Sequence, residues 1–115
     1  MAEFTVYHNP RCSKSRMAIA YLEEAGKTYE VVEYLKEMPS AAEMDEILNK
    51  LEMEPEALLR KNESDFKDHF KGKNLSRAEW IDAMRTYPKL IERPIVVKGN
   101  KAIVARPTEK IAELD

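Results

Sequence analysis

A single cysteine, Cys12, occurs in the 115 residues, so the chain cannot close an internal disulfide. That fits a reducing compartment, and the cytoplasm is the expected location. It also means that any oxidised or substrate-bound form of Cys12 must be resolved by a thiol from another molecule. Histidine is nearly as scarce. His8 and His69 lie far apart in sequence, and together with Cys12 they lack the number and spacing of zinc ligands, so no metal site is expected. No apolar run approaches the ~20 residues that a bilayer span needs, and no basic segment followed by a hydrophobic stretch opens the chain in the manner of a secretory signal. Neither sign of charge dominates. The 19 Lys and Arg against 21 Asp and Glu give a net charge of -2, which supplies no basic field for nucleic acid. Internal repeats, linkers and low-complexity tracts are also missing. What remains has the length of one domain, residues 1–115, and with 43% hydrophobic and 35% charged residues the composition of a soluble globular protein, expected as a monomer.

The chemistry-bearing stretch is His8-Asn9-Pro10-Arg11-Cys12-Ser13-Lys14-Ser15-Arg16. Before it, Phe4-Thr5-Val6-Tyr7 reads as a strand that Asn9-Pro10 stops. After it, Met17, Ala18, Tyr21, Leu22 and Ala25 recur at helical spacing, with Gly26 as the terminating residue. Cys12 therefore stands where a helix begins and its first N–H groups have no intrahelical partner. At such a position, with cations nearby, a thiol pKa of about 8.5 can fall into the range of roughly 3.5 to 7.5. Arg11, Lys14 and Arg16 are the cations. The same helix start could receive an oxyanion. The alternative is an inert buried thiol, against which the polarity of the stretch weighs.

Along the rest of the chain, Tyr29 to Leu35 reads as a second strand, parallel to the first through a short crossover. Ser40 with Glu43 has the spacing of a capping box, opening a helix whose stripe of Met44, Ile47, Leu48 and Leu51 is core. Pro55 opens a short helix through Leu58, Leu59 and Arg60. Arg60 is either a solvated helix-end residue or one anchored at a buried edge with its guanidinium reaching an anion. Phe66 and Phe70 stand one helical turn apart, and a second capping box, Ser76 with Glu79, precedes Trp80, Ile81 and Met84. Pro88 ends that helix. Ile95–Lys98 and Lys101–Ala105 around Gly99-Asn100 form a β-hairpin, and Pro107 opens a last helix with Ile111 and Leu114 inward.

The order β α β, helices, β β α resembles a thioredoxin-like fold, an α/β architecture with a mixed four-stranded sheet flanked by helices and a helical insertion at about 40–91. More narrowly, four motifs in order resemble the glutathione- and glutaredoxin-dependent arsenate reductase (ArsC) family. They are His8-Asn9-Pro10-x-Cys12-x-x-Ser15-Arg16, Leu58-Leu59-Arg60-Lys61-Asn62, Glu92-Arg93-Pro94-Ile95-Val96-Val97 and Arg106-Pro107. The resemblance runs from Val6 to Leu114. It implies Cys12 as the nucleophile toward arsenate, Arg60, Arg93 and Arg106 around the thiolate and oxyanion, His8, Ser15 and Arg16 tuning the thiolate, and Pro94 in the cis form. It further implies no tightly bound cofactor, glutathione as co-substrate and glutaredoxin as partner. Ser13-Lys14 stand where well-known reductases have Gly-Thr. Three residues between Cys12 and Arg16 are too few for a phosphatase-type loop.

The same fold serves Spx-like transcriptional regulators that bind RNA polymerase and commonly carry C-x-x-C, where this chain has Cys12-Ser13-Lys14-Ser15. Arg60 and Arg106 favour the reductase. A family member with other thiol chemistry is the third alternative.

Overall fold

The computed structural model describes residues 2–114. It contains two compact units, Met1–Met38 with Arg93–Asp115, and Pro39–Glu92. No helix among the described residues is long and apolar enough to cross a membrane.

The first unit contains β1 (Phe4–His8), α1 (Ser13–Glu24), β2 (Tyr29–Glu33), β3 (Ile95–Lys98) and β4 (Lys101–Val104), and it closes with a 3-10 helix over Thr108–Leu114. The sheet is mixed, in the order β2-β1-β3-β4. β1 runs parallel to β2, with Phe4 opposite Tyr29 and His8 opposite Glu33. It runs antiparallel to β3, with Tyr7 opposite Ile95, and β3 pairs antiparallel with β4, with Ile95 opposite Val104. Along β1 the side chains alternate, as a strand with one face on the core requires. Phe4 and Val6 join Val96 of β3, Ala18 and Leu22 of α1, Ala105, Ile111 and Leu114 in one buried cluster. Each large apolar side chain taken out of water there contributes about 1.5–3 kcal/mol before conformational entropy is set against it.

Two boundaries differ from expectation for local reasons. β2 stops at Glu33 rather than Leu35 because the N–H groups of Lys36 and Glu37 both donate to the Glu33 carbonyl, at 2.9 and 2.8 Å, and turn the chain. The closing helix is 3-10 rather than α. Thr108, Ile111 and Leu114, its buried residues, are spaced by three, which matches three residues per turn. The hairpin turns at Gly99, whose φ of 60° is the left-handed region that glycine enters without a Cβ clash.

The second unit is helical, with α2 (Ala41–Leu51), α3 (Ser64–His69), α4 (Arg77–Thr86) and 3-10 turns at Pro55–Leu58 and Pro88–Leu90. Both capping boxes are complete. Ser40 Oγ accepts from Glu43 N at 3.2 Å while Ser40 N donates to Glu43 Oε1 at 3.1 Å, and Ser76 with Glu79 repeats the pattern. Met44, Ile47, Leu48 and Leu51 are buried along α2. α2 and α4 are tied at their polar edge, where Arg77 Nε donates to Asp45 Oδ1 at 2.6 Å and Nη2 to Asn49 Oδ1 at 3.1 Å. Trp80 is buried against Phe66 and Phe70, its ring centroid 6.3 and 5.8 Å from theirs. α2 ends with Glu52 at φ 54°, and Met53 N donates back to Leu48 O. This is the left-handed stop that usually falls on glycine, here without one.

Ser40 is exposed, and its hydroxyl accepts from Glu43 N in the first turn of its own helix. Ser40→Ala therefore removes one acceptor and lowers unfolding stability by about 1 kcal/mol. Urea denaturation checks this, as a lower midpoint at unchanged slope.

Candidate active site

The strand register determines what can meet at one end of the sheet. β1 ends at His8, β3 begins at Ile95 opposite Tyr7, and β4 ends at Val104 opposite Ile95. The loop after β1, the residues just before β3 and those just after β4 therefore emerge side by side. These are the Cys12 loop, Arg93-Pro94 and Arg106-Pro107. Ala105 N, donating to Pro94 O at 2.9 Å, fastens the last two together. The Arg93–Pro94 peptide is cis, and so is Arg106–Pro107.

The loop is held by its own polar groups. Asn9 is its organiser: its carbonyl accepts from Cys12 N at 3.0 Å, its side chain accepts from Arg11 N at 3.0 Å, and its N–H donates to Ser15 Oγ at 3.3 Å. Ser15 is fully buried. Arg16 Nη1 donates to the Pro10 carbonyl at 2.8 Å, so this arginine clamps the loop to the first turn of α1. From sequence, Asn9 reads as a turn former and as part of the family motif, without these hydrogen bonds. The Asn-Pro pair is the sequence signal for this loop.

Cys12 is the N-cap residue of α1, reduced and 8% exposed. Burial pushes its thiol pKa up. The backbone N–H groups of Ser15 and Lys14 and the charge and hydrogen bonding of the Arg93 guanidinium outweigh burial and bring the pKa below that of an ordinary thiol. Arg106 adds a second guanidinium, Nη2 lying 3.8 Å from Cys12 Sγ, while its Nε donates to the Arg93 carbonyl at 2.6 Å. Arg93 Nε is buried without a hydrogen-bond partner.

His8 is also buried, with Nδ1 unpartnered. Burial lowers its pKa, Glu33 opposes this, and Arg16 adds to it, so the imidazole is neutral near pH 7. Arg60 belongs to the second unit. There its Nη1 lies 3.1 Å from Glu63 Oε2 and 3.4 Å from the Lys89 carbonyl, with Nε 3.8 Å from Glu92 Oε1. It is positioned by a short antiparallel bridge of Leu59 with Ile91, in which Arg60 N donates to Leu90 O at 2.7 Å. The structure thus brings Cys12, Ser15, Arg93, Pro94 and Arg106 together, with Arg16 bonded to the loop at Pro10 and His8 buried at the end of β1. Arg60 finds its described side-chain partners, Glu63, Glu92 and the Lys89 carbonyl, in its own unit. Among the described residues no group of three or more His, Cys, Asp and Glu is arranged to hold a metal.

The family model described as the ArsC family matches residues 7–114. The chain belongs to the ArsC family. Among ArsC-related proteins, an arsenate reductase of Neisseria meningitidis serogroup A is 41% identical over 113 residues, covering 96% of this chain and 97% of the relative. The uncharacterized protein YfgD of Escherichia coli K12 is 42% identical, covering 95% of this chain and 93% of its own. The solved structure of an arsenate reductase from Vibrio cholerae superposes with a TM-score of 0.94 at 39% identity, covering 99% of this chain and 98% of that one. The thioredoxin-like fold of ArsC proteins is therefore the fold of this chain.

A lowered pKa has a measurable consequence. Ultraviolet thiolate absorbance against pH is expected to give a midpoint for Cys12 below the free-thiol value of about 8.5. Arg93→Ala moves that midpoint upward. The associated stabilisation is present above the unfolded thiol pKa and fades as pH falls through the lowered folded value. A midpoint at or above the free value contradicts the electrostatic assignment.

Proposed function

We propose that the protein is an arsenate reductase in which Cys12 is the nucleophile and glutathione and glutaredoxin supply the reducing thiols. The observation that carries this reading is the Cys12 sulfur at the start of α1 with Arg106 Nη2 at 3.8 Å and Arg93 lowering its pKa. Two guanidinium groups near one sulfur repel each other unless negative charge lies between them. A thiolate supplies one such charge, and arsenate, mostly a dianion near neutral pH, supplies more. Guanidinium groups suit tetrahedral oxyanions through paired, charge-assisted hydrogen bonds. Relatives of about 40% identity over nearly the whole chain carry the name arsenate reductase, which supports the substrate.

In this cycle the Cys12 thiolate attacks arsenic and one arsenate oxygen leaves as water, giving a thiol arsenate ester with arsenic still at +5. The glutathione thiol adds to arsenic and a second water leaves. A glutaredoxin thiolate then takes the glutathione sulfur as a mixed disulfide, and the electron pair of the broken As–S bond stays on arsenic, now +3. Water releases arsenite and returns Cys12 to the thiol. Overall, arsenate and two thiols give arsenite, a disulfide and water. Arg93 and Arg106 act in the first step, where an anionic nucleophile meets an anionic substrate and charge accumulates. Ser15 and Arg16 keep the loop in place for it. Arg60, which the family resemblance implies beside Arg93 and Arg106, is paired with Glu63 and Glu92, and the reading does not depend on it.

Purified protein with arsenate, glutathione and glutaredoxin tests the reading, with arsenite formation as the readout. Cys12→Ser is expected to abolish turnover. Arg106→Ala removes a charged hydrogen-bond donor worth about 2 kcal/mol, so kcat/KM for arsenate should fall roughly 30-fold. Wild-type protein with an ionised Cys12 but no arsenite formation would overturn the substrate assignment.

A further inference from the structure

Beside the Cys12 loop lies a cavity of about 300 Å³ lined by Asn9, Pro10, Arg11, Glu33, Leu35 and Lys36. It lies wholly in the first unit, and three of its six lining residues are the three that precede the nucleophile. We propose that this cavity is the docking subsite for glutathione, whose carboxylates meet Arg11 and Lys36 and whose ammonium meets Glu33. The proposal rests on the reductase reading and names where its first thiol donor binds.

Charge complementarity selects this occupant. The lining carries two cations and one anion, and glutathione with its thiol protonated carries two carboxylates and one ammonium, the inverse set. No hydrogen bond or ion pair holds the Arg11 side chain among the described residues, and only its backbone N–H is engaged. Lys36 has one long pairing, Nζ to Glu33 Oε1 at 3.9 Å, on an exposed surface where such a pair contributes little. Both cations are therefore available to a ligand at small cost. Leu35, left 45% exposed, and Pro10 add apolar lining for the methylenes of a γ-glutamyl chain. The volume is at the lower end for small-ligand sites, as suits a tripeptide.

The turn after β2 accounts for the cavity. Because Lys36 and Glu37 both bond to the Glu33 carbonyl, the chain folds back there and presents Glu33, Leu35 and Lys36 toward the loop after β1. β1 and β2 are parallel neighbours, so their C-terminal ends lie together, with His8 opposite Glu33. Parallel sheets commonly bind ligands outside these strand ends.

S-methylglutathione, which cannot react, is the probe. Titrated into the wild-type protein without arsenate, it is expected to shift the backbone amide resonances of Asn9, Arg11, Leu35 and Lys36. In Arg11→Glu with Lys36→Glu the affinity should fall about 10-fold or more, from two reversed ion pairs. Lys36→Glu alone, at an exposed turn, should lose part of that affinity and guards against a misfolded double variant. In turnover, the preference for glutathione over 2-mercaptoethanol, which has no carboxylates, should fall by a similar factor. Shifts confined to other residues, or unchanged affinity in the folded double variant, overturn the subsite even if arsenate is reduced normally. The expected shifts and loss of affinity in a protein that does not reduce arsenate uphold the subsite and overturn the reductase reading instead.

Discussion

The pairing of β1 with β3, and of β3 with β4, is the constraint on which the candidate site depends. Antiparallel pairing places the end of one strand beside the start of the next, so Tyr7 opposite Ile95 and Ile95 opposite Val104 bring three loops to one edge. Arg93 and Arg106 are thirteen residues apart with a hairpin between them, yet Arg106 Nε reaches the Arg93 carbonyl. A one-residue slip in either pairing would turn every side chain of that strand to the opposite face. The alternating burial of β1, with Phe4 and Val6 buried and Thr5 and Tyr7 half-buried, opposes such a slip. Hydrophobic packing several residues from the chemistry thereby holds the guanidinium groups at the sulfur.

That arrangement carries a cost. The Cys12 sulfur and the Arg93 Nε are both removed from water, and the latter has no partner. A buried donor left unpaired costs about 1–3 kcal/mol, more when it belongs to a charged group. Two cations close together add repulsion. A thiolate offsets part of both, which is why the direction of the Cys12 shift and the position of Arg106 are two aspects of one electrostatic balance. His8 stays neutral under the same field and adds no further cation beneath the loop.

The helical unit shows the opposite economy. Its polar groups are mostly satisfied nearby: two reciprocal capping boxes, Arg77 on Asp45 and Asn49, and Arg85 Nε on the Pro39 carbonyl at 2.9 Å. Arg60 follows the same pattern with Glu63 and Glu92. These ion pairs are half-buried and partly solvated, where such pairs contribute modestly, and the aromatic packing of Trp80, Phe66 and Phe70 and the buried stripe of α2 add apolar burial.

Features set by neighbours along the chain were legible in the sequence. The β-hairpin at Gly99-Asn100, both capping boxes, the apolar stripe of α2 and the location of Cys12 at a helix start all follow from residues within about four positions of one another, where backbone propensity and side-chain reach decide. The Glu33 stop of β2, the glycine-free end of α2 and the 3-10 form of the last helix escaped that reading. Each turns on which carbonyl a given N–H finds, a contest that composition does not settle. The approach of Arg106 to Cys12, 94 residues apart, was suggested only by a family resemblance, because no local rule joins such positions. The tertiary structure alone decided that the two meet, and that Arg60 pairs with Glu63 and Glu92. Strand register and helix packing set these distances, and both are properties of the whole buried core rather than of any stretch of sequence.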